Sequence, residues 1–387
     1  MESRTMIAGE NKINWETYRA EFPITDRYIY FDNAAVSPLS TRVRKAIDGL
    51  SDALSKEGVL CAEKAFGRVK EVRSSVAQFV GAAPEEIAFT KNTTQGVLLA
   101  ANGMQWNVGD NVVMPAIEFP ANVYPWIALG RRGVETRMVE PERGRVTAEM
   151  IADRCDDRTR AVTVSFVQFS TGYRIDLEAL GDFCRTNNIY LHVDGIQSLG
   201  MIPCDVRKLK VDFMSAGSHK WLLSPPGTGI FYCRNDLMGK MDVSNPGWTS
   251  VVDSHTFLDY DLTYREDAGR FEEGSLNIHG IHALGASVDR FLEIGMTMVE
   301  KRILSLTDLL DEGLTRLGFT VTSPRKASER SGIICFSHTE RKSDELHKTL
   351  SDAGVVCSLS EGAIRLSPHF YNNEAEVKKL LDILQKK

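Results

Sequence analysis

Residues 191–200 of the 387-residue chain read LHVDGIQSLG. The apolar-leaning run 190–193 predicts a buried strand, which reaches Asp194 and is then broken by Gly195. A carboxylate without a partner at the edge of a core costs several kcal/mol when it is dry. Asp194 therefore implies one of two arrangements: a cationic group lies opposite it, or the end of the strand is open to water.

The rest of the chain predicts an α/β fold with a doubly wound, mostly parallel sheet. Strand-like runs such as IAFT (87–90) and GIFYC (229–233) alternate with helix-like runs. Ligands of such sheets bind beyond the carboxyl ends of the strands, where Asp194 is expected. After residue 275 the pattern changes to long helices and short strands, which indicates a smaller α+β domain. We expect an N-terminal segment (1–30), a large domain (31–275) and a small C-terminal domain (276–387).

The composition narrows the class of protein. Hydrophobic residues make up 43% of the chain and charged residues 25%, which is ordinary for a globular protein. The net charge of −6 argues against nucleic acid or an anionic membrane as the main partner. No run approaches the ~20 apolar residues that cross a bilayer, and residues 1–16 lack the apolar run of a signal peptide. The seven cysteines are dispersed without a C-x-x-C pair, so we expect reduced thiols in a cytoplasm and no metal site.

Two further strand ends carry residues capable of chemistry. KNTTQG (91–96) leads from IAFT into a helix, whose free N–H groups and hydroxyls suit a phosphate unless Thr93 or Thr94 merely caps the helix. SHKW (218–221) follows the strand-like VDFMSAG. Lys220 in that setting suits a pocket lysine with a lowered pKa, which acts as a nucleophile or base. The alternative is a surface lysine whose stem covers apolar surface.

One cofactor requires all three of these features together. Pyridoxal phosphate needs a cup for its phosphate, a lysine that forms a Schiff base, and a carboxylate that faces its pyridinium nitrogen. The carboxylate keeps the ring nitrogen protonated, and the protonated ring is an electron sink. The combination predicts pyridoxal 5'-phosphate as the cofactor, and its ring nitrogen as the cationic partner of Asp194.

Several segments also occur in an order that resembles one known family. They are YFDNAAVSPLS (30–40), KNTTQG (91–96), HVDGIQSLG (192–200), SHKW (218–221) and AIRLSPHFYNN (363–373), so the likeness covers nearly the whole chain. The chain resembles the class V aminotransferase, or cysteine-desulfurase-like, group of fold-type I pyridoxal-phosphate enzymes. The resemblance implies the fold-type I transferase architecture and a homodimer with a shared active site.

The resemblance also implies roles at the cofactor. Lys220 would form the Schiff base, Asp194 would pair with the pyridine nitrogen, and Gln197 would lie near the ring hydroxyl. Phe119, in EFPANVYPW (118–126), matches the aromatic residue that stacks on the ring. Many relatives have histidine there, and phenylalanine can stack but cannot exchange protons. The phosphate ligands would be Thr94, Gln95 and His219, together with Gly274 and Ser275 from the other subunit.

For the substrate, the resemblance implies that Arg365 grips an α-carboxylate, for which the guanidinium fork is suited. A surface arginine on a small-domain strand is the alternative. Asn33 and Ala35 would lie near the substrate entrance. The segment Ser275-Leu276 departs from the family's pattern, in which Thr and then Pro are usual.

The departure with the greatest consequence concerns cysteine. True desulfurases carry sulfur on a cysteine in a mobile loop before the substrate arginine. Here the connection is the short GVVCSLSEGAIR (354–365), and Cys357 falls within an apparent strand, VVCSL. We therefore expect Cys357 to be structural. Phe119 and Pro120, which stand where many desulfurases have histidines, indicate the same.

The sequence thus favours a pyridoxal-phosphate enzyme that acts on an α-amino acid, as an aminotransferase or a C–S lyase. A cysteine desulfurase, which needs a reactive Cys357, and an amino-acid epimerase, which needs a second base, are the alternatives. A non-catalytic scaffold would need none of Lys220, Asp194 and Arg365. Further candidates for the pocket, or equally for packing, are Tyr124, Trp126, Trp248 and His255.

Overall fold

The computed structural model describes residues 13–386, which form three sheets, of seven, four and two strands, with helices packed around them. The strands are β1 (Ile29–Tyr30), β2 (Ile87–Thr90), β3 (Asn111–Pro115), β4 (Glu135–Val139), β5 (Thr159–Ser165), β6 (Tyr190–Asp194), β7 (Phe213–Gly217), β8 (Gly229–Cys233), β9 (Thr320–Val321), β10 (Ile334–Ser337), β11 (Val355–Val356), β12 (Ser358–Ser360) and β13 (Ala363–Leu366). The helices are α1 (Trp15–Arg19), α2 (Thr41–Glu57), α3 (Ala62–Val80), α4 (Thr93–Gly103), α5 (Tyr124–Ile127), α6 (Ala148–Ala152), α7 (Leu177–Thr186), α8 (Asn235–Met238), α9 (Ile278–Ile294), α10 (Met296–Arg316), α11 (Ser343–Asp352) and α12 (Glu374–Gln385).

The larger sheet has the order β2-β8-β7-β6-β5-β3-β4. Strand β8 runs antiparallel to both of its neighbours, and the pairings from β7 through β4 are parallel. Both faces are buried, because successive residues of β3 enter different cores: Val113 packs in one, and Val112 and Met114 pack in the other. The expected α/β fold with a mostly parallel sheet is confirmed.

The smaller sheet is antiparallel, with the order β12-β13-β10-β9, and its core includes apolar residues of α10, α11 and α12. This is the α+β texture expected after residue 275. Strand β1 pairs in parallel with β11, so residues 29–30 join the C-terminal part of the chain. The apparent strand VVCSL is divided, because β11 and β12 lie on either side of Cys357. The domain boundaries at 30 and 275 stay predictions, and residues 1–12 of the N-terminal segment lie outside the described residues.

The carboxyl ends of β5, β6 and β7 meet at one edge of the larger sheet. Ser165 is in register with Asp194, and Asp194 is in register with Ser215. The chain then leaves β7 through Lys220 and passes close to the turn after β6, where Gly200 has a φ of +94°. A Cβ on Gly200 would fall inside van der Waals contact with the carbonyl oxygen of Trp221. In the part of the chain that the structure describes, no helix is both long and apolar enough for a bilayer crossing.

We expect Gly200→Ala to destabilise the protein by roughly 1–3 kcal/mol, because alanine disfavours positive φ and its methyl group would displace the backbone beside Lys220. Chemical denaturation measures the free energy of unfolding. Gly49→Ala in α2 is the matched control, since nothing lies within 4 Å of the added Cβ. The free energy of unfolding of that variant should equal that of the wild type or exceed it by up to about 1 kcal/mol. Equal stability of the two variants would contradict this account of the turn.

Candidate active site

A cavity of about 540 Å³ lies beyond the carboxyl ends of β5 and β6, between the larger sheet and strands β12 and β13. Its walls come from the start of α4, the segments around residues 119 and 169, residues 219–220, and the small-domain strands. The structure brings seven of the site residues predicted from the sequence to this cavity: Ala35, Thr94, Phe119, Asp194, His219, Lys220 and Arg365.

Asp194 ends β6 with its side chain almost fully buried, at 1% exposure. Among the described residues, the N–H of Ile196 is the one donor to its carboxylate, at 2.9 Å. Burial raises the pKa of Asp194 to about 7, and the charge of Glu118 adds to the rise, while Ile196 and Lys220 oppose it. The carboxylate borders the cavity with much of its hydrogen-bonding capacity unused, so the site suits a cationic donor.

Lys220 faces the same cavity from the segment after β7. Burial lowers the pKa of its ammonium to about 8, although the charge of Asp194 opposes the shift. Its Nζ lies 5.4 Å from the ring centroid of Phe119. The neighbouring backbone is fixed, because the carbonyl of His219 accepts from the N–H of Ser37 at 2.9 Å and Trp221 is fully buried. An amine with this pKa is deprotonated often enough near neutral pH to act as a nucleophile or base.

The start of α4 forms the polar end of the cavity. Asn92 caps the helix by accepting from the N–H of Gln95 at 2.9 Å, so the alternative in which Thr93 or Thr94 caps it is wrong. The hydroxyl of Thr93 accepts from the N–H of Gly217 at 2.9 Å, which ties the helix to the end of β7. Thr94 lines the cavity at the first turn, where helix N–H groups favour an anion.

Arg365 lies on β13 at the opposite wall and is 7% exposed, which excludes the surface alternative. Its Nη1 donates to the carbonyl of Phe169 at 2.9 Å and its Nη2 to the Oγ of Ser358 at 3.3 Å. Asp32 lies 3.6 Å from Nη2 and accepts from Ser358 at 2.6 Å. The buried Nε has no partner among the described residues. A guanidinium held in this way at the cavity wall suits a planar carboxylate.

The other predicted residues lie outside the cavity lining. Gln197 donates to the carbonyl of Ala34 at 3.0 Å and accepts from the indole of Trp221 at 2.8 Å. Asn33 is fully buried, donates to the carbonyl of Ser367 and accepts from Ser37 and Tyr371. The hydrogen bonds of these two side chains stabilise the segments that form the walls of the cavity. A separate, narrower cleft is lined by Gln95, Gly274 and Ser275, together with Lys91 and Glu273.

Sequence reasoning missed Glu118, a buried carboxylate close to Asp194. It accepts from the N–H of Ser165 at 2.8 Å, from Gln168 at 2.6 Å and from Asn122 at 3.0 Å. These bonds fasten the segment that carries Phe119 to the end of β5. Burial raises the pKa of Glu118, and the hydrogen bonds oppose that rise. The available signal was the one that singled out Asp194, namely a carboxylate at the end of an apolar run.

Cys357 is 7% exposed in the small-domain core, and burial raises the pKa of its thiol to about 12. It does not line the cavity, whereas Ser358, the next residue, does. Of the further candidates, Trp126 is fully buried, and Tyr124 and His255 are exposed; none of the three lines the cavity. Trp248 lies beside Gly274, at the separate cleft.

We expect Asp194→Asn to lower the pKa of Lys220 in the cofactor-free protein to below about 8, because a neutral amide no longer stabilises the ammonium. The pH titration of ¹³Cε-labelled lysine by NMR measures it, with Lys220→Ala assigning the signal. Asp156→Asn is the control, since that carboxylate pairs with Arg137 on the surface. A pKa of Lys220 that rises or stays unchanged in Asp194→Asn would show that the two groups are not coupled.

Comparison with known proteins identifies the family. The model of the class-V aminotransferases matches residues 29–380. The chain is 30% identical to a probable cysteine desulfurase of Methanothermobacter thermautotrophicus, over 96% of this chain and 97% of that protein. It is 25% identical to an uncharacterized aminotransferase of Bacillus subtilis, over 95% and 96% of the two chains. The apo structure of a cysteine desulfurase from Thermococcus onnurineus superposes with a TM-score of 0.87 at 26% identity, over 98% and 99% of the chains.

The cofactor of this family is pyridoxal phosphate, and the residues at the cavity fit it. Asp194 offers an underused buried acceptor for a protonated ring nitrogen, and Lys220 offers an amine of lowered pKa for the aldehyde. The first turn of α4 offers N–H groups and a hydroxyl for the phosphate. The protein is a pyridoxal-phosphate-dependent enzyme of the transferase or lyase type, and the chain belongs to the class-V aminotransferase family.

Proposed function

We propose that the enzyme cleaves the C–S bond of a sulfur-containing α-amino acid without passing the sulfur to a cysteine of its own chain. The observation that carries the proposal is that none of the seven cysteines, all of which are in the described residues, lines the cavity. The relatives named cysteine desulfurase support C–S chemistry. The burial of Cys357, with its raised thiol pKa, disfavours a persulfide carrier at that position.

Each residue at the cavity has a task in this proposal. Pyridoxal phosphate supplies an electron sink when it is bound. Lys220 would hold the cofactor through its aldehyde, and Asp194 would keep the proton on its ring nitrogen. Arg365 binds the α-carboxylate through its guanidinium fork. Lys220, once the substrate amine has displaced it, takes the proton from the α-carbon as a general base.

The proposed elimination is balanced without an oxidant. Electrons of the broken Cα–H bond form a Cα–Cβ double bond, and the C–S bond breaks with its electron pair on sulfur. The sulfur takes up a proton, which the Lys220 ammonium formed in the first step can supply. The released product hydrolyses to pyruvate and ammonia. A desulfurase would instead give alanine and leave the sulfur on a cysteine.

The products of cysteine and an S-alkylcysteine test the proposal. We expect pyruvate with sulfide or thiol, at the same rate in the wild type and in Cys357→Ala, because that thiol lies outside the cavity. Lys220→Ala should abolish the products. Alanine as the product, with loss of turnover in Cys357→Ala, would instead establish a desulfurase. A keto acid formed only with an amino acceptor would establish an aminotransferase, for which the same lysine suffices.

We also propose a homodimer in which one subunit completes the cofactor site of the other. Large apolar side chains are exposed in the turn between α2 and α3, where Val59 is 84% and Leu60 is 83% exposed, and such patches are typical of interfaces. Gly274 and Ser275 line a cleft apart from their own subunit's cavity, which leaves them available to a partner's cofactor.

The free, dispersed cysteines favour a cytoplasmic location.

We expect the double variant Val59→Asp, Leu60→Asp to be monomeric and to retain less cofactor, since two buried carboxylates would oppose the interface. Light scattering with size-exclusion chromatography gives the mass, and the ratio of visible to ultraviolet absorbance gives the occupancy. Val108→Asp is the control, because Val108 is 78% exposed in a different part of the surface. This variant should change neither the mass nor the cofactor occupancy. A wild-type monomer with full cofactor occupancy would contradict the shared site.

A further inference from the structure

The ionisable side chains that line the cavity are few. Of the described residues they are Asp194, His219, Lys220 and Arg365. In the proposed function the first three face the cofactor, and Arg365 binds the substrate's α-carboxylate. No charged residue that this subunit contributes to the lining is then left to meet a charge on the substrate's side chain. Asp32 is not a substitute, because Ser358 and Arg365 already engage its carboxylate.

The remaining lining includes an apolar wall, formed by Phe119, Ala121, Phe169 and Leu359. The rings of Phe119 and Phe169 meet edge to face, with centroids 5.2 Å apart and an interplanar angle of 81°. Leu359 is 43% exposed and Phe169 is partly exposed, so the wall presents apolar surface to the cavity.

Phe169 lies between the two groups that fix the substrate's position. Its ring contacts Phe119, which in turn lies 5.4 Å from Lys220 Nζ. Its carbonyl oxygen accepts from Arg365 at 2.9 Å. Phe169, Lys220 and Arg365 line the same cavity, so the α-carbon of a substrate held by the lysine and the arginine would lie near the Phe169 side chain. Replacing that side chain leaves the carbonyl in place, so the arginine keeps this partner.

We propose that Phe169 makes the cavity select α-amino acids with uncharged, apolar side chains. The inference rests on the proposed function, in which Lys220 and Arg365 hold an α-amino acid. A charged side chain placed against Phe169 and Leu359 would lose its hydration without gaining an opposite charge, whereas an apolar side chain would bury its surface there. For a C–S lyase, the substrates would be cysteine derivatives with an apolar substituent on sulfur.

Binding of α-methyl amino acids to the holoenzyme tests the inference apart from turnover, because they lack the α-proton that Lys220 would remove. Titration of the visible absorbance gives dissociation constants for α-methylleucine, α-methylaspartate and α-methylornithine. We expect α-methylleucine to bind at least ~10-fold more tightly than either charged analogue, in the range that an apolar pocket achieves. The analogue 2-aminoisobutyrate, whose side chain is a methyl group, serves as the reference.

The variants locate the effect at Phe169. Phe169→Ala should raise the dissociation constant of α-methylleucine ~10-fold and leave that of 2-aminoisobutyrate nearly unchanged. Phe169→Leu should bind α-methylleucine almost as tightly as the wild type does. Tyr124→Ala, at an exposed aromatic residue outside the cavity, is the matched control and should bind all four ligands as the wild type does. Preserved binding by Phe169→Leu also shows that the site is folded.

Three results would overturn the inference. The first is equal affinity of the wild type for the leucine and aspartate or ornithine analogues. The second is an equal loss of 2-aminoisobutyrate binding in Phe169→Ala, which would mean that the ring supports the α-carbon and not the side chain. The third is the absence of binding by any of the four ligands, including 2-aminoisobutyrate. That result would contradict the proposed function itself, and the inference would fall with it.

Discussion

The site depends on a pair of opposite charges that the fold keeps largely out of water. Asp194 and Lys220 reach one cavity from the end of β6 and from the segment after β7, and burial disfavours the charged form of both. The pKa values of about 7 and about 8 express the cost of burial and the partial compensation that each group gives the other. A fold tolerates such a pair when a ligand completes it, and a pyridinium ring with an aldehyde has the matching groups.

The parallel sheet explains why these residues meet. Neighbouring parallel strands end at the same edge, so Ser165, Asp194 and Ser215 come into register without any local sequence signal that links them. The glycine at 200 then lets the chain after β7 approach the turn after β6 closely enough to place Lys220. Glu118 fastens the Phe119 segment to the same edge. The site is thus fixed by backbone positions of four separate segments of the large sheet.

The sequence was sufficient to predict those parts of the fold and of the site that depend on a local pattern of residues. The strand that ends at Asp194 follows from a run of apolar residues, and the pocket lysine in SHKW follows from its place directly after the strand-like VDFMSAG. The pairing of β1 with β11 was not predictable in this way, because it joins residues more than 300 positions apart. Phe169 was missed for a related reason: a phenylalanine in a loop has no periodicity, and only the fold brings it between Phe119 and Arg365. The N-cap of α4 is Asn92 and not a threonine. Three residues that can cap a helix follow one another here, and only the backbone conformation determines which of them is the cap.

The attachment point of the cofactor is the most direct test of this account. The purified holoenzyme would be reduced with borohydride, digested, and analysed by mass spectrometry for the peptide that carries the cofactor's mass. We expect that mass on the peptide that contains Lys220 and on no other peptide. Attachment to a different lysine, or no covalent label in a protein that binds the cofactor in full, would contradict the assignment of the cavity as the active site.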